Sequence, residues 1–213
     1  YLLLSFFCIF IITTIHWQDL QHQFWVYSIL GGIAGGIGNG FLVKALQKGD
    51  LSVLGPVNSY KSVVGIIVAI LLLREIPNFY GLIGIALIIC GSYFVLDTTE
   101  ERFSWALLKR MDIQYRIWAM ILSAIEAVFI KKVILASSPA IAFASWCWFG
   151  AFFSLLFAFV YRIDLAKDIG KVKKIHLRKY LLLIICIGTM QFTTIFTFDH
   201  MPVGYALSLF QLS

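Results

Sequence analysis

Glu126 is the residue in this sequence best placed to do chemistry. It sits near the middle of an apolar run, Ile113 to Leu135. A carboxylate at mid-membrane costs about 2.5–3.5 kcal/mol on insertion scales and usually marks a functional or paired group. A carboxyl group held out of water can exchange a proton near neutral pH, so proton coupling is its functional reading. A structural pair with Lys61, or a neutral buried acid, is the alternative. Lys61 lies about ten residues into another apolar run, Leu51 to Leu73. Helical spacing puts it on one face with Asn58, Gly65 and Ala69. A lysine there either snorkels to the nearer surface or lines a wet cavity; Asn58 on the same face favours the cavity. Asn39, Gln191 and Gln211 add hydrogen-bonding groups inside other apolar runs. Together Asn39, Asn58, Lys61, Glu126, Gln191 and Gln211 form the candidate substrate-binding set. Lys61 would meet an anionic group and Glu126 a proton or an ammonium.

Other polar residues read as structural. Asp199 and His200 close a span and suit a turn and cap, with a gate as the alternative. Glu75 can pair with Arg74 or accept backbone N–H groups at a helix end. Trp146 and Trp148 suit packing or the membrane interface. The four cysteines, Cys8, Cys90, Cys147 and Cys186, all fall in apolar runs without a CxxC spacing. They read as small buried hydrophobes, with neither disulfide nor metal inferred. No GxSxG, HExxH or phosphate loop is present, and the glycines of GGIAGGIGNG follow no strand, so no dinucleotide loop is inferred. No catalytic residue, metal or cofactor is expected. An enzyme of lipid or isoprenoid substrates, using Glu126 and His200 as acid and base, is the alternative, but its polar groups would be scattered.

The elements that must hold these residues are membrane spans. The chain is 61% hydrophobic and 13% charged, with a mean hydropathy of +0.90; a soluble domain carries about 25% charged residues. The continuous apolar runs exclude a β-barrel of alternating strands and predict an all-α polytopic membrane protein. Spans are expected at Tyr1–Ile15, Phe24–Leu46, Leu51–Leu73, Phe79–Leu96, Ile113–Leu135, Pro139–Tyr161 and Leu181–Phe198, with another starting after Pro202. That makes about eight helices or partial helices. Each full run is long enough to cross about 30 Å of hydrocarbon. The net charge of +6 lies in the loops, so no nucleic-acid partner is inferred. Gly32, Gly36 and Gly40 form one small-residue ridge and Gly31, Gly35 and Asn39 a second, the pattern that lets helices approach closely in lipid. The chain lacks an initiator Met and begins and ends inside apolar runs, as a fragment cut at both ends would.

An internal repeat is visible. TFDHMPVGYALSLFQLS (197–213) lies over LQKGDLSVLGPVNSYKS (46–62) without gaps. In both, a span ends in a polar turn and a Gly- and Ser-containing helix begins. A repeat with an odd number of spans inserts its second copy upside down, the construction of many secondary transporters.

Ala45, Leu46, Gly49, Leu51, Ser52 and Pro56, then Leu72-Arg74-Glu75-Ile76-Pro77, then Gly81, Gly84, Leu87, Ile88 and Gly91 resemble the EamA-like repeat of the drug/metabolite transporter superfamily. The resemblance covers nearly the whole chain and is strongest over 45–96. It implies a ten-helix parent made of two inverted five-helix halves. Residues 1–97 would be the first repeat without its first helix, 98–112 the connecting loop, and 113–213 the second repeat without its last helices. It implies no cofactor, places Glu75 on the family's structural acidic position, and implies export or exchange of a small polar metabolite, with amino acids favoured. The second copy departs from the pattern, with Leu207 opposite Pro56. The expected partners are that metabolite and the lipid bilayer of a bacterial inner membrane, with a homodimer left open. Thirteen loop Lys and Arg residues fall on one side, against Arg74, Lys131 and Lys132 on the other. The positive-inside rule assigns the richer side to the cytoplasm; the resemblance, with both termini usually cytoplasmic, argues the opposite way. The charge count is preferred.

Overall fold

In hydrocarbon each backbone N–H and C=O must be satisfied within its own segment, so apolar runs of this length fold as helices. The computed structural model describes residues 1–9, 20–49, 60–98, 109–160 and 177–210, and every regular element among them is helical. In chain order they are α1 (Leu2–Phe7), α2 (His22–Lys48), α3 (Lys61–Leu73), α4 (Phe79–Thr98), α5 (Met111–Leu135), α6 (Pro139–Val160), α7 (Leu177–His200) and α8 (Val203–Leu209). Three of them, α2, α6 and residues 178–200 of α7, are long and apolar enough to cross a membrane.

Burial follows the pattern of a protein dissolved in lipid. The buried positions are dominated by small residues, including Ala45, Ala69, Ala124, Ala142, Ala144 and Ala206. The large apolar side chains point outward: Phe159 is 82% exposed, Leu71 74% and Leu87 68%. Lipid tails are as apolar as leucine, so no hydrophobic drive pulls these chains inward, and close helix contact relies on small residues. The chain is an all-α polytopic membrane protein.

The residues group into two compact units. The first comprises Tyr1–Gly36 and Ile130–His200. In it the glycine ridge of α2 packs on a phenylalanine ridge of α6. A Cβ on Gly32 would stand 2.7 Å from Phe149 Cβ, and one on Gly36 3.2 Å from Phe153 Cβ and 3.1 Å from the Phe157 ring. α1 also lies on α6: the Tyr1 ring meets Trp146 at 4.7 Å between centroids, and Trp148 Nε1 donates to Ser5 O at 3.2 Å. Phe143 of α6 meets Phe192 of α7 edge-on.

The second unit comprises Ile37–Phe129 and Met201–Ser213. α3 and α8 pack through reciprocal notches: Leu207 fills the space over Gly65, and Ile66 the space over Gly204. The end of α2 lies on α5, with Gly38 against Leu122 and Phe41 stacked on Tyr115. Gly40, the third member of the predicted ridge, has nothing within 4 Å of where its Cβ would be. Among the described residues the ridge packs through Gly32 and Gly36.

α3 ends abruptly. Arg74 takes a left-handed backbone (φ 58°), a conformation that costs a non-glycine residue about 1–2 kcal/mol. Its N–H still reaches Ile70 O at 3.2 Å. Pro77 then bars any helical continuation, and α4 begins at Phe79.

Candidate functional site

Three charged residues converge in the second unit. α3 begins at Lys61, and α5 carries Arg116 and Glu126. Those two are ten residues apart, about 15 Å along the helix axis. Both act electrostatically on Lys61, the carboxylate attracting and the guanidinium repelling it. All three are half-buried. The Arg116 Nε is buried without a hydrogen-bond partner. A buried donor left unsatisfied costs about 1–3 kcal/mol or more when charged, so such an atom calls for a partner. Glu126 attracts Lys61, and Arg116 adds a second positive charge that acts on it. The surplus positive charge around Lys61 suits an anionic group.

The other predicted residues are placed as follows. Asn39 is on the part of α2 that belongs to the second unit and is exposed. Gln191 is half-buried on α7 in the first unit. Asn58 and Gln211 lie outside the described residues. Of the six, Lys61 and Glu126 are brought together. Arg116 is the member that sequence reasoning missed: it stands three residues inside the predicted span and was counted among the loop charges.

The first 97 residues match the EamA-like transporter family. No curated protein and no solved structure matches the chain. The family is one of transporters, which points to a membrane transporter of the drug/metabolite type and away from an enzyme.

The EamA-like segment includes Glu75, which the structure puts at a helix end. Its Oε2 accepts the N–H of Val203 at 2.9 Å. Val203 opens α8, whose first N–H groups have no partner within the helix, and a carboxylate there also meets the positive end of the helix dipole. The left-handed turn at Arg74 aims Glu75 at it. Next to it, Tyr205 Oη accepts the Asn78 N–H at 2.8 Å and pairs with Asn78 Oδ1 at 3.0 Å. Asn78 Oδ1 in turn accepts the Gly81 N–H at 2.8 Å, capping the start of α4. The α3–α4 connection therefore holds α8 by hydrogen bonds as well as by packing.

The opposite device closes α7. Lys131 is 9% exposed. Its Nζ donates to Phe198 O, and to Asp199 O at 3.3 Å. A cation at the C-terminus of a helix satisfies carbonyls with no N–H of their own and meets the negative end of the dipole. Asp199 and His200 thus occupy a helix end, as their sequence suggested; the His200 ring nitrogen contacts Phe196 O of its own helix at 3.0 Å. Lys132, the next residue, lies over the Tyr27 ring at 4.7 Å.

At the end of α2, Asp112 is buried and takes both Arg110 Nη2 at 2.8 Å and Nε at 3.2 Å. It fills the space beside Gly49. It lies just outside the apolar run that starts at Ile113, and the Arg110 hydrogen bonds hold its carboxyl below the usual carboxylate range.

Proposed function

We propose that the protein is a secondary transporter that exports or exchanges a small polar metabolite bearing an anionic group, with zwitterionic amino acids the leading class. The observation that carries this reading is the Arg116 Nε, buried and, among the described residues, unpartnered, on a side chain that acts electrostatically on Lys61. Arg116 and Lys61 would take the carboxylate of the substrate. A guanidinium can present a planar fork to it and a lysine a point charge. Glu126 would take the ammonium group or the coupled proton, since it is the acidic group that acts on Lys61. Asn39, Asn58, Gln191 and Gln211 remain candidate hydrogen-bonding groups for the substrate. Alternating access would run between two inverted halves, 1–97 and 113–213, joined by 98–112, in a bacterial inner membrane. The family match over residues 1–97 supports a transport function as such.

An exchange assay tests the reading. Proteoliposomes loaded with an unlabelled amino acid are presented with the labelled one, for each of a panel. Arg116→Gln should raise the half-saturating concentration at least tenfold, the loss of one charge-assisted hydrogen bond of about 1.5–3 kcal/mol. Arg116→Lys should recover part of it. Exchange of the same solute at the same half-saturating concentration in Arg116→Gln would remove Arg116 from the site.

A further inference from the structure

Cys8 and Cys147 are both free thiols, at 2% and 0% exposure. They pack on each other together with Ala144, inside a shell of Leu4, Phe143, Trp146 and Trp148. The two thiols are the only cysteines of this buried cluster. Their meeting is fixed by the register of α1 on α6. Tyr1 lies over Gly150 and against Trp146, Ser5 receives the Trp148 indole N–H, and the next turn delivers Cys8 to Cys147.

We propose that Cys8 and Cys147 form a binding site for one soft, thiophilic divalent cation of the mercuric class. Three properties of the pair select it. Sulfur donors favour soft ions over the hard cations that carboxylates and carbonyls bind. The site offers two donors, because among the described residues no group of three or more His, Cys, Asp or Glu is positioned to hold a metal. Zinc asks for four ligands, whereas a mercuric ion is satisfied by two thiolates in line. Charge decides the rest. Each thiol gives up its proton, two metal–sulfur bonds form, two protons leave to water and no electron moves. A divalent ion then leaves a neutral complex in an apolar shell. A monovalent ion, copper(I) or silver(I), would leave a net negative charge there with nothing to solvate it. Occupancy would tie α1 to α6. The site shares no residue with Lys61, Arg116 and Glu126 and does not depend on the transport reading.

The test uses the purified full-length protein carrying Cys90→Ser and Cys186→Ser, which removes the two exposed thiols. Mercuric chloride is titrated while intact mass and tryptophan fluorescence are followed. The expected result is one mercury per chain, with a mass gain of one mercury less two hydrogens. Indole emission should be quenched, because Trp146 and Trp148 wall the site. The bound ion should survive an excess of a monothiol such as 2-mercaptoethanol. Cys8→Ala and Cys147→Ala should each bind mercury through a single thiol that the monothiol strips. As a readout free of those variants, bound mercury should protect both thiols from N-ethylmaleimide until a dithiol removes it. Retention unchanged when either cysteine is replaced, two mercury ions per chain, or silver held as tenaciously as mercury would each overturn the proposal.

Discussion

Two adjacent lysines on α5 should differ sharply in what they contribute to stability. Lys131 is buried, and its ammonium serves carbonyls at the end of α7. Lys132 is half-buried, with its ammonium over the Tyr27 ring. Lys131→Met keeps the volume of the stem and removes a buried charge, which by itself is favourable. It also takes a charged donor away from the Phe198 and Asp199 carbonyls at the end of α7. The cost is dominated by the loss of these charge-assisted hydrogen bonds, about 1.5–3 kcal/mol. The lost cation–dipole interaction adds about 0.3–1 kcal/mol. Relief of ammonium desolvation offsets part of this. A net loss of about 2 kcal/mol is expected, roughly a 30-fold shift in the folding equilibrium. Lys132→Met loses a cation–π contact of about 0.5–1 kcal/mol and leaves no buried group unpaired. Thermal or denaturant unfolding of both variants in one detergent reads the difference. Equal losses, or a Lys131→Met cost below about 0.5 kcal/mol, would refute the capping role.

Further outcomes follow from the same geometry. Gly32→Ala should destabilise by about 1–3 kcal/mol, because its Cβ would press on Phe149 near the α6 backbone. Gly40→Ala meets open space and should gain up to about 1 kcal/mol from helix propensity; the same unfolding assay separates the two. Tyr205→Phe should cost about 0.5–1.5 kcal/mol by losing the Asn78 hydrogen bonds, seen also as faster proteolysis within the α3–α4 connection. The lowered carboxyl of Asp112 stabilises the fold above the unfolded value of about 3.9, and that contribution is lost as pH falls through its lower folded value. Arg110→Gln should bring the two values together and flatten the stability curve below about pH 4, measured by unfolding across an acid series.

The helices were legible because membrane spans leave a coarse mark. The run Pro139–Tyr161 is observed as Pro139–Val160, and Phe24–Leu46 as His22–Lys48, extended by the polar residues that cap its ends. Leu-Arg-Glu-Ile-Pro carries its own stop signal in Pro77, and of the two roles open to Glu75, a pair with Arg74 or a helix-end acceptor, the structure shows the second. Its partner was not visible: Val203 is 128 residues away, and no local pattern spans that distance. Lys131 was hidden for another reason. Two neighbouring lysines near a span end look alike in a charge count, and only tertiary packing sends one inward. Arg116 was obscured by its place three residues inside a span, where snorkelling is the ordinary reading. Cys8 and Cys147 sit 139 positions apart and meet only because α1 lies on α6 in one register. Asn39 was grouped with Gly31 and Gly35 by its i, i+4 spacing, yet those two glycines are buried and Asn39 is exposed.

If Glu126, which acts on Lys61, carries the coupled proton, uptake of labelled amino acids into proteoliposomes under an imposed pH gradient tests it most directly, with wild type and Glu126→Gln side by side. Some amino acid should be concentrated by wild type when the gradient is present, and Glu126→Gln should lose that accumulation while still exchanging the solute without a gradient. Gradient-driven accumulation that persists unchanged in Glu126→Gln would contradict it.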